Sequence, residues 1–155
     1  MDWVKCNTDA ALSNANNSYG IGWVLRDHTG NMLWMGARKI PVTRTVLEAE
    51  VEAMRWAMLV LSNFNYKRII FESDSKTLVD SFSEKDQWPS LQPVIQDIHN
   101  LLGNFNDHKL AFYPREGNDV ADRIAKETLS FTNYVPKLYS SLPNWIKPFV
   151  EVDHL

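Results

Sequence analysis

The sequence predicts an α/β fold with a five-stranded mixed sheet, three antiparallel strands and then alternating helices and strands, flanked by helices. Three observations carry this. Strand-like segments joined by turn chemistry occupy residues 3–40. The apolar period then changes to that of a helix over 46–64. Beyond it, two short apolar runs, 68–72 and 109–113, alternate with helical segments.

In order, residues 3–9 alternate loosely and end in Asp9, and 13–19 (SNANNSY) are turn chemistry. Residues 20–26 (GIGWVLR) and 32–40 read as strands joined by the tight turn Asp27-His28-Thr29-Gly30-Asn31, with Gly30 at the position that most needs positive φ. Leu47, Val51, Met54, Met58 and Leu61 fall at i, i+4, i+7, i+11 and i+14, one face of a long helix. RIIFE, 68–72, is a buried strand, 75–83 a short helix, Trp88-Pro89-Ser90 a break, and 93–102 a helix with Pro93 in its first turn. Residues 109–113 form the last strand and 117–129 the last helix. Residues 1–130 are expected to form the domain, and 131–155, with Pro136, Pro143 and Pro148, an irregular tail packed on it.

Composition narrows the function. At 155 residues one core is expected, burying roughly two-thirds of the chain's surface. Hydrophobic residues at 45% and charged residues at 23% exclude disordered and collagenous classes. The single Cys6 excludes an internal disulfide and a cysteine zinc cage, and fits a reducing compartment. No apolar run approaches the ~18 residues of a membrane span. The start, MDWVKCNTDA, has no signal-peptide core, so an intracellular monomer is expected, with nothing to separate nucleus from cytoplasm. A start almost at the first strand also fits a domain excised from a longer polyprotein. The net charge of −3 is opposite to that of a strongly basic nucleic-acid binder, so any such role must rest on local patches or on metal.

Four acids stand out by joint placement: Asp9 at the end of the first strand, Glu50 in LEAEVEA, Asp74 after the buried strand in FESDS, and Asp122 at the start of the last helix. Each alone is commonly a cap or dipole partner. Together, on the edge where strand ends and helix starts converge, they repel one another unless cations neutralise them. An all-oxygen site suits Mg²⁺ or Mn²⁺, and two such ions roughly 3.5–4 Å apart can drive phosphodiester hydrolysis. Asp2, Asp27, Glu48, Glu52, Glu72 and Asp119 are expected to be solvated.

The segments KCNTDAA, GIGWVLRDHTGN, EAEVEAMRWAM, FESDS and PREGNDVADRIAKE, in this order, resemble a type 1 ribonuclease H domain, most closely its plant reverse-transcriptase-like, retroelement-related branch. The resemblance spans 3–129 and implies the ribonuclease H-like fold. It implies that Asp9, Glu50, Asp74 and Asp122 are the catalytic metal ligands, with Glu48, Glu52 and Asp119 as off-register competitors. Glu52 is expected to point away, being about 200° round the helix from Glu50. Ala10, Thr45, Ser75, Arg115 and Asn118 are the implied substrate contacts.

The departures are specific. Ala10 stands where the family has Gly at a close approach to substrate, so weaker binding is expected. Phe112 stands where many members have a His that assists turnover, and none of His28, His99, His108 or His154 replaces it. Val46 and Leu47 replace polar residues before the catalytic Glu, and 86–90 is too short for the basic protrusion of some members. Trp23, Trp34 and Trp56 are expected in the core, and Trp88 and Trp145 in packed loops. Arg38, Lys39, Arg44, Arg115 and Arg123 form either a phosphate groove or a solvated face.

The implied function is metal-dependent endonucleolytic cleavage of the RNA strand of RNA–DNA hybrids, leaving 3′-hydroxyl and 5′-phosphate ends, with two Mg²⁺ ions or Mn²⁺ in their place. The alternative is a non-catalytic hybrid-binding module, in which Ala10 and Phe112 mark decay; retention of all four acids favours the enzyme. An exonuclease on the same fold is disfavoured by the order of the motifs.

Overall fold

The computed structural model describes residues 3–13, 17–81, 91–113 and 118–148. The break expected at 88–90, the connection 86–90, Arg115 and His154 lie outside them. Chain order is β1 (Val4–Ser13), β2 (Ser18–Arg26), β3 (Met32–Pro41), α1 (Val46–Leu61), β4 (Arg68–Ser73), α2 (Lys76–Ser81), α3 (Gln92–Leu102), β5 (Asp107–Phe112), α4 (Asp119–Thr128) and β6 (Lys137–Tyr139). The sheet runs β5-β4-β1-β2-β3-β6, with β1 paired antiparallel to β2 and parallel to β4. Chain order, mixed sheet and flanking helices are those the ribonuclease H-like resemblance implies.

Turn chemistry closes the β2–β3 hairpin as expected. Gly30 has φ 91°, and the Asp27 carboxylate accepts from Thr29 N, Thr29 Oγ1 and Asn31 N. Thr45 caps α1, its hydroxyl accepting the Glu48 N–H at 3.1 Å. The helix stops at Leu61 rather than at 64, because Ser62 Oγ and Asn63 Nδ2 both donate to the Leu59 carbonyl and the backbone turns there. Cys6, Ile69 and Phe71 of β1 and β4 meet Val51, Met54 and Met58 of α1 and Ile98 of α3 in the larger core. Trp23 and Trp56 pack edge to face there, with ring centroids 5.9 Å apart.

Four expectations are corrected. The sheet has six strands, not five: Lys137–Tyr139 pairs antiparallel with Met35–Ala37 on the free edge of β3. Three residues on an edge give no readable alternation, so the sequence offers no strand signal there. The tail is correspondingly less irregular than its prolines suggest, and Ile146 is fully buried among Val24, Met35, Ala37, Val120 and Ile124. Nor does the first strand end at Asp9. It runs on to Ser13, because Ala10–Ser13 pair with Ser18–Ile21, whereas its parallel pairing with β4 ends at Thr8–Ser73. β5 begins at Asp107, two residues early, since polar Asp107 and His108 on an edge strand break the apolar pattern while still pairing with Arg68 and Ile69.

The smaller core sets the position of α4. Gly20 and Gly22 of β2 face Ala125, Ile124 and Thr128, and any Cβ at Gly20 would overlap the Ala125 carbonyl and the Thr128 hydroxyl. That close approach holds α4 against the sheet, and the Asn118 amide at its start donates to the Thr8 carbonyl at 3.0 Å. No described helix is long and apolar enough to cross a membrane. Gly20→Ala is therefore expected to destabilise the fold by about 1–3 kcal/mol through overpacking. Urea denaturation measures this, and an unchanged midpoint would show that α4 is not seated on this glycine.

Candidate active site

Asp9 lies on β1 one residue beyond the last pair with β4, and Asp74 one residue beyond the end of β4, so both carboxylates emerge where these two strands part. Glu50 comes from the first turn and a half of α1, among the buried residues of that helix. One carboxylate oxygen from each of Asp9, Glu50 and Asp74 lies within 4.8 Å of the others. Asp9 and Glu50 are buried, and Asp74 is half-buried.

Burial and proximity act in one direction here. Burial, and next the Asp74 charge, push the Asp9 carboxyl up to about 7, with Asp122 adding a smaller push. Burial and then the Asp9 charge hold Glu50 well above the usual carboxylate range. Without cations the cluster therefore retains protons that solvated acids would release. The Asp9 carboxylate accepts from Ala10 N at 2.9 Å, which fixes its rotamer. Glu50 Oε2 is buried and has no hydrogen-bond partner. Three hard oxygen donors, one of them unpartnered, fit a divalent cation of the Mg²⁺ type.

The fourth expected acid, Asp122, sits in the first turn of α4, near enough to raise Asp9, but its Oδ2 pairs with Lys126 Nζ at 2.9 Å. Lys126 is a residue that sequence reading overlooked, although its i+4 spacing from Asp122 was the available signal. The competitors stand elsewhere. Glu48 pairs with Arg44, Glu52 with Arg55, and Asp119 is exposed. Glu72 corrects another expectation: it is buried, accepts from Asn7 Nδ2 at 3.0 Å and lies 3.9 Å from Lys5. Strand pairing puts it directly beside Asn7, an amide partner two residues before Asp9.

Of the expected substrate contacts, Thr45 and Ser75 share with Glu50 a cavity of about 390 Å³ lined also by Val46, Leu47, Thr77 and Leu91. Thr45 and Ser75 already accept N–H groups of Glu48 and Leu78. Asn118 is buried, its amide engaged with β1 rather than facing solvent. Among the expected basic groove, Arg38 stacks on Trp56, Lys39 donates to the Phe131 carbonyl and Arg44 pairs with Glu48. Phe112 is exposed at the end of β5, in register with Ser73.

A family profile described as reverse transcriptase-like matches residues 7–128, the stretch that contains all four acids. The chain belongs to this reverse transcriptase-like family. It is 28% identical over 130 residues to ribonuclease HI of Halobacterium salinarum, covering 81% of this chain and 64% of that protein. It is 27% identical over 151 residues to an Arabidopsis thaliana protein named for ribonuclease H, covering 92% of this chain and 24% of the other. The chain thus spans less than two-thirds of either relative. The crystal structure of RNase H1 from Halobacterium salinarum superimposes with TM-score 0.74 at 26% identity, over 82% of this chain and 97% of that one. LC11-RNase H1, solved in complex with an RNA/DNA hybrid, gives 0.71 at 26%, over 80% and 94%.

The raised Asp9 carboxyl fixes a pH dependence. With its folded pKa at about 7 against an ordinary 3.8, folded Asp9 binds a proton that the unfolded chain releases. Metal-free stability should therefore fall as pH rises from 3.8 to about 7 on account of Asp9, with the raised Glu50 adding to the fall. Melting temperatures in chelator across that window should decline for wild type and decline less steeply for Asp9→Asn, in which the burial of Glu50 remains. Parallel curves would contradict the protonated cluster.

Proposed function

We propose that this chain is a metal-dependent endonuclease, of retroelement descent, that hydrolyses the RNA strand of RNA–DNA hybrids. One observation carries the reading: Asp9, Glu50 and Asp74 converge in a buried cluster whose Glu50 Oε2 finds no partner within the protein. The hybrid bound by a solved relative supports the substrate class, and the ribonuclease HI relative supports the reaction.

Asp9, Glu50 and Asp74 would hold one Mg²⁺ (or Mn²⁺), and Asp122 would complete a second site once Lys126 gives up its carboxylate. Bound there, the ions supply a water of lowered pKa and neutralise charge on the leaving oxygen. The chain's own part is placement. Ala10 N–H orients the Asp9 carboxylate, and Asn118 ties α4, and so Asp122, to β1. The cavity beside Glu50, with Thr45 and Ser75 on its wall, would take the RNA strand, with Ala10 and Arg115 as the further contacts that the family resemblance implies. Selection of the hybrid would rest on helix shape and 2′-hydroxyl contacts, because base edges do not distinguish RNA from DNA. All four acids come from one chain, so a monomer suffices.

Labelled hybrid tests the reading. Wild type should cut the RNA strand with Mg²⁺ or Mn²⁺, poorly with Ca²⁺, and not in chelator. Asp9→Asn, Glu50→Gln, Asp74→Asn and Asp122→Asn should each lose orders of magnitude in rate, while Glu52→Gln and Asp119→Asn keep it nearly unchanged. Ala10→Gly and Phe112→His should raise it by restoring close backbone approach and a proton-handling group. Equal cleavage in chelator would overturn the mechanism. A parent that binds hybrid but cuts nothing, even with both restorations, is the non-catalytic module.

A further inference from the structure

α4 packs against β1, β2 and β3, and on that same side of the sheet no described helix packs on the outer half, over β4 and β5, where Lys5, Lys109 and Tyr113 are exposed and Arg68 and Ile70 half-buried. Strand register fixes which side chains stand there. Lys5 is level with Arg26 and Ile70, Ile70 with Lys109, and Arg68 with Asp107. Residues at every second position share a face, so Lys5, Arg68, Ile70 and Lys109 lie on the face that also carries Asp9 and Asp74. Below the acid cluster the described residues of this face hold four cations, Lys5, Arg26, Arg68 and Lys109, against Glu72 and Asp107, with Asp27 beside Lys5 and Arg26. Glu72 accepts from Asn7 and lies 3.9 Å from Lys5, and Asp107 pairs with Arg68. The chain as a whole carries −3, so the cations are concentrated here against the overall balance.

Aromatic rings organise them. Lys109 Nζ and Arg68 Cζ sit 4.9 Å and 5.6 Å from the Trp3 ring centroid, and Lys5 Nζ sits 5.7 Å from that of Tyr113. A cation held over a ring has already lost much of its rotamer freedom, so less is lost when a phosphate binds. Tyr113 follows β5, with its N–H on the Ser73 carbonyl, next to Asp74. The row from Tyr113 to Lys109 is thus roughly 13 Å of strand leading away from the acids. The cavity proposed for the RNA strand of the hybrid opens instead beside α1 and α2.

We propose that the exposed outer face of β4 and β5, with Lys5, Arg68, Lys109, Trp3 and Tyr113, binds the phosphodiester backbone of a single-stranded nucleic-acid segment that extends from the duplex held at the acid cluster. Alternating cations and aromatics are the chemistry that tracks a flexible polyanion without reading its sequence. The proposal rests on the nuclease reading for its duplex, but the surface itself does not use the four acids.

Fluorescence anisotropy with Ca²⁺ in place of Mg²⁺ compares a short blunt hybrid, the same hybrid with a single-stranded DNA or RNA tail, and the free single strands. Wild type should bind the tailed hybrids roughly tenfold more tightly than the blunt one, with a steep salt dependence. Lys109→Glu should remove most of that advantage and leave blunt binding unchanged. Lys109→Gln, which adds no acid to the sheet edge, should do so partly. DNA-only or RNA-only enhancement identifies which strand follows this face. No tail advantage in wild type, or one that survives Lys109→Glu, overturns the proposal. Failure to bind the blunt hybrid counts against the nuclease reading instead, and the free strands, bound more tightly by wild type than by Lys109→Glu, still decide the surface.

Discussion

Three carboxylates within 4.8 Å of one another, two of them buried, repel and lose hydration together, and the surrounding fold is what keeps them in place. The parting of β1 and β4 supplies two of the positions. The sheet pairs them only as far as Thr8 and Ser73, so Asp9 and Asp74 leave the ladder side by side. α1 supplies the third, anchored by Thr45 at its start and by the apolar contacts of Val51, Met54 and Met58 along its length. Held by these anchors, the buried acids meet their mutual repulsion by retaining protons.

α4 adds a second layer of control. Its seat on Gly20 and Gly22 and its Asn118 tether to β1 bring Asp122 near the cluster, and Lys126 one turn later neutralises it. The fourth acid is thus close enough to act on Asp9 yet already partnered. The buried pair Asp9 and Glu50 thus lies beside an acid that already has its cation. The same side of the sheet continues into cations and aromatics on β4 and β5, so opposite charges lie along one set of strands.

Much of this was legible because it follows from spacing. The helix period fixed Glu50 on the buried side of α1 and sent Glu52 away from it, where Arg55 pairs with it. The Gly30 turn was read from its residues alone. What escaped depended on long-range pairing. β6 is three residues long and exists because the edge of β3 is free to bond. β1 continues past Asp9 because β2 reaches back to pair with it. Glu72 looked like a solvated acid until pairing set Asn7 beside it. Lys126 follows from the i,i+4 spacing to Asp122 alone, a local signal rather than a long-range one.

The central claim is that the buried carboxylate cluster is a cation site. Electron paramagnetic resonance of free Mn²⁺ tests it most directly, since the hexaaquo ion's signal is lost on binding. Titrating Mn²⁺ into the wild-type chain at a pH above the Asp9 transition should remove at least one equivalent of signal, and Asp9→Asn should leave that equivalent free. A wild-type chain that leaves the Mn²⁺ signal at full strength would contradict the account.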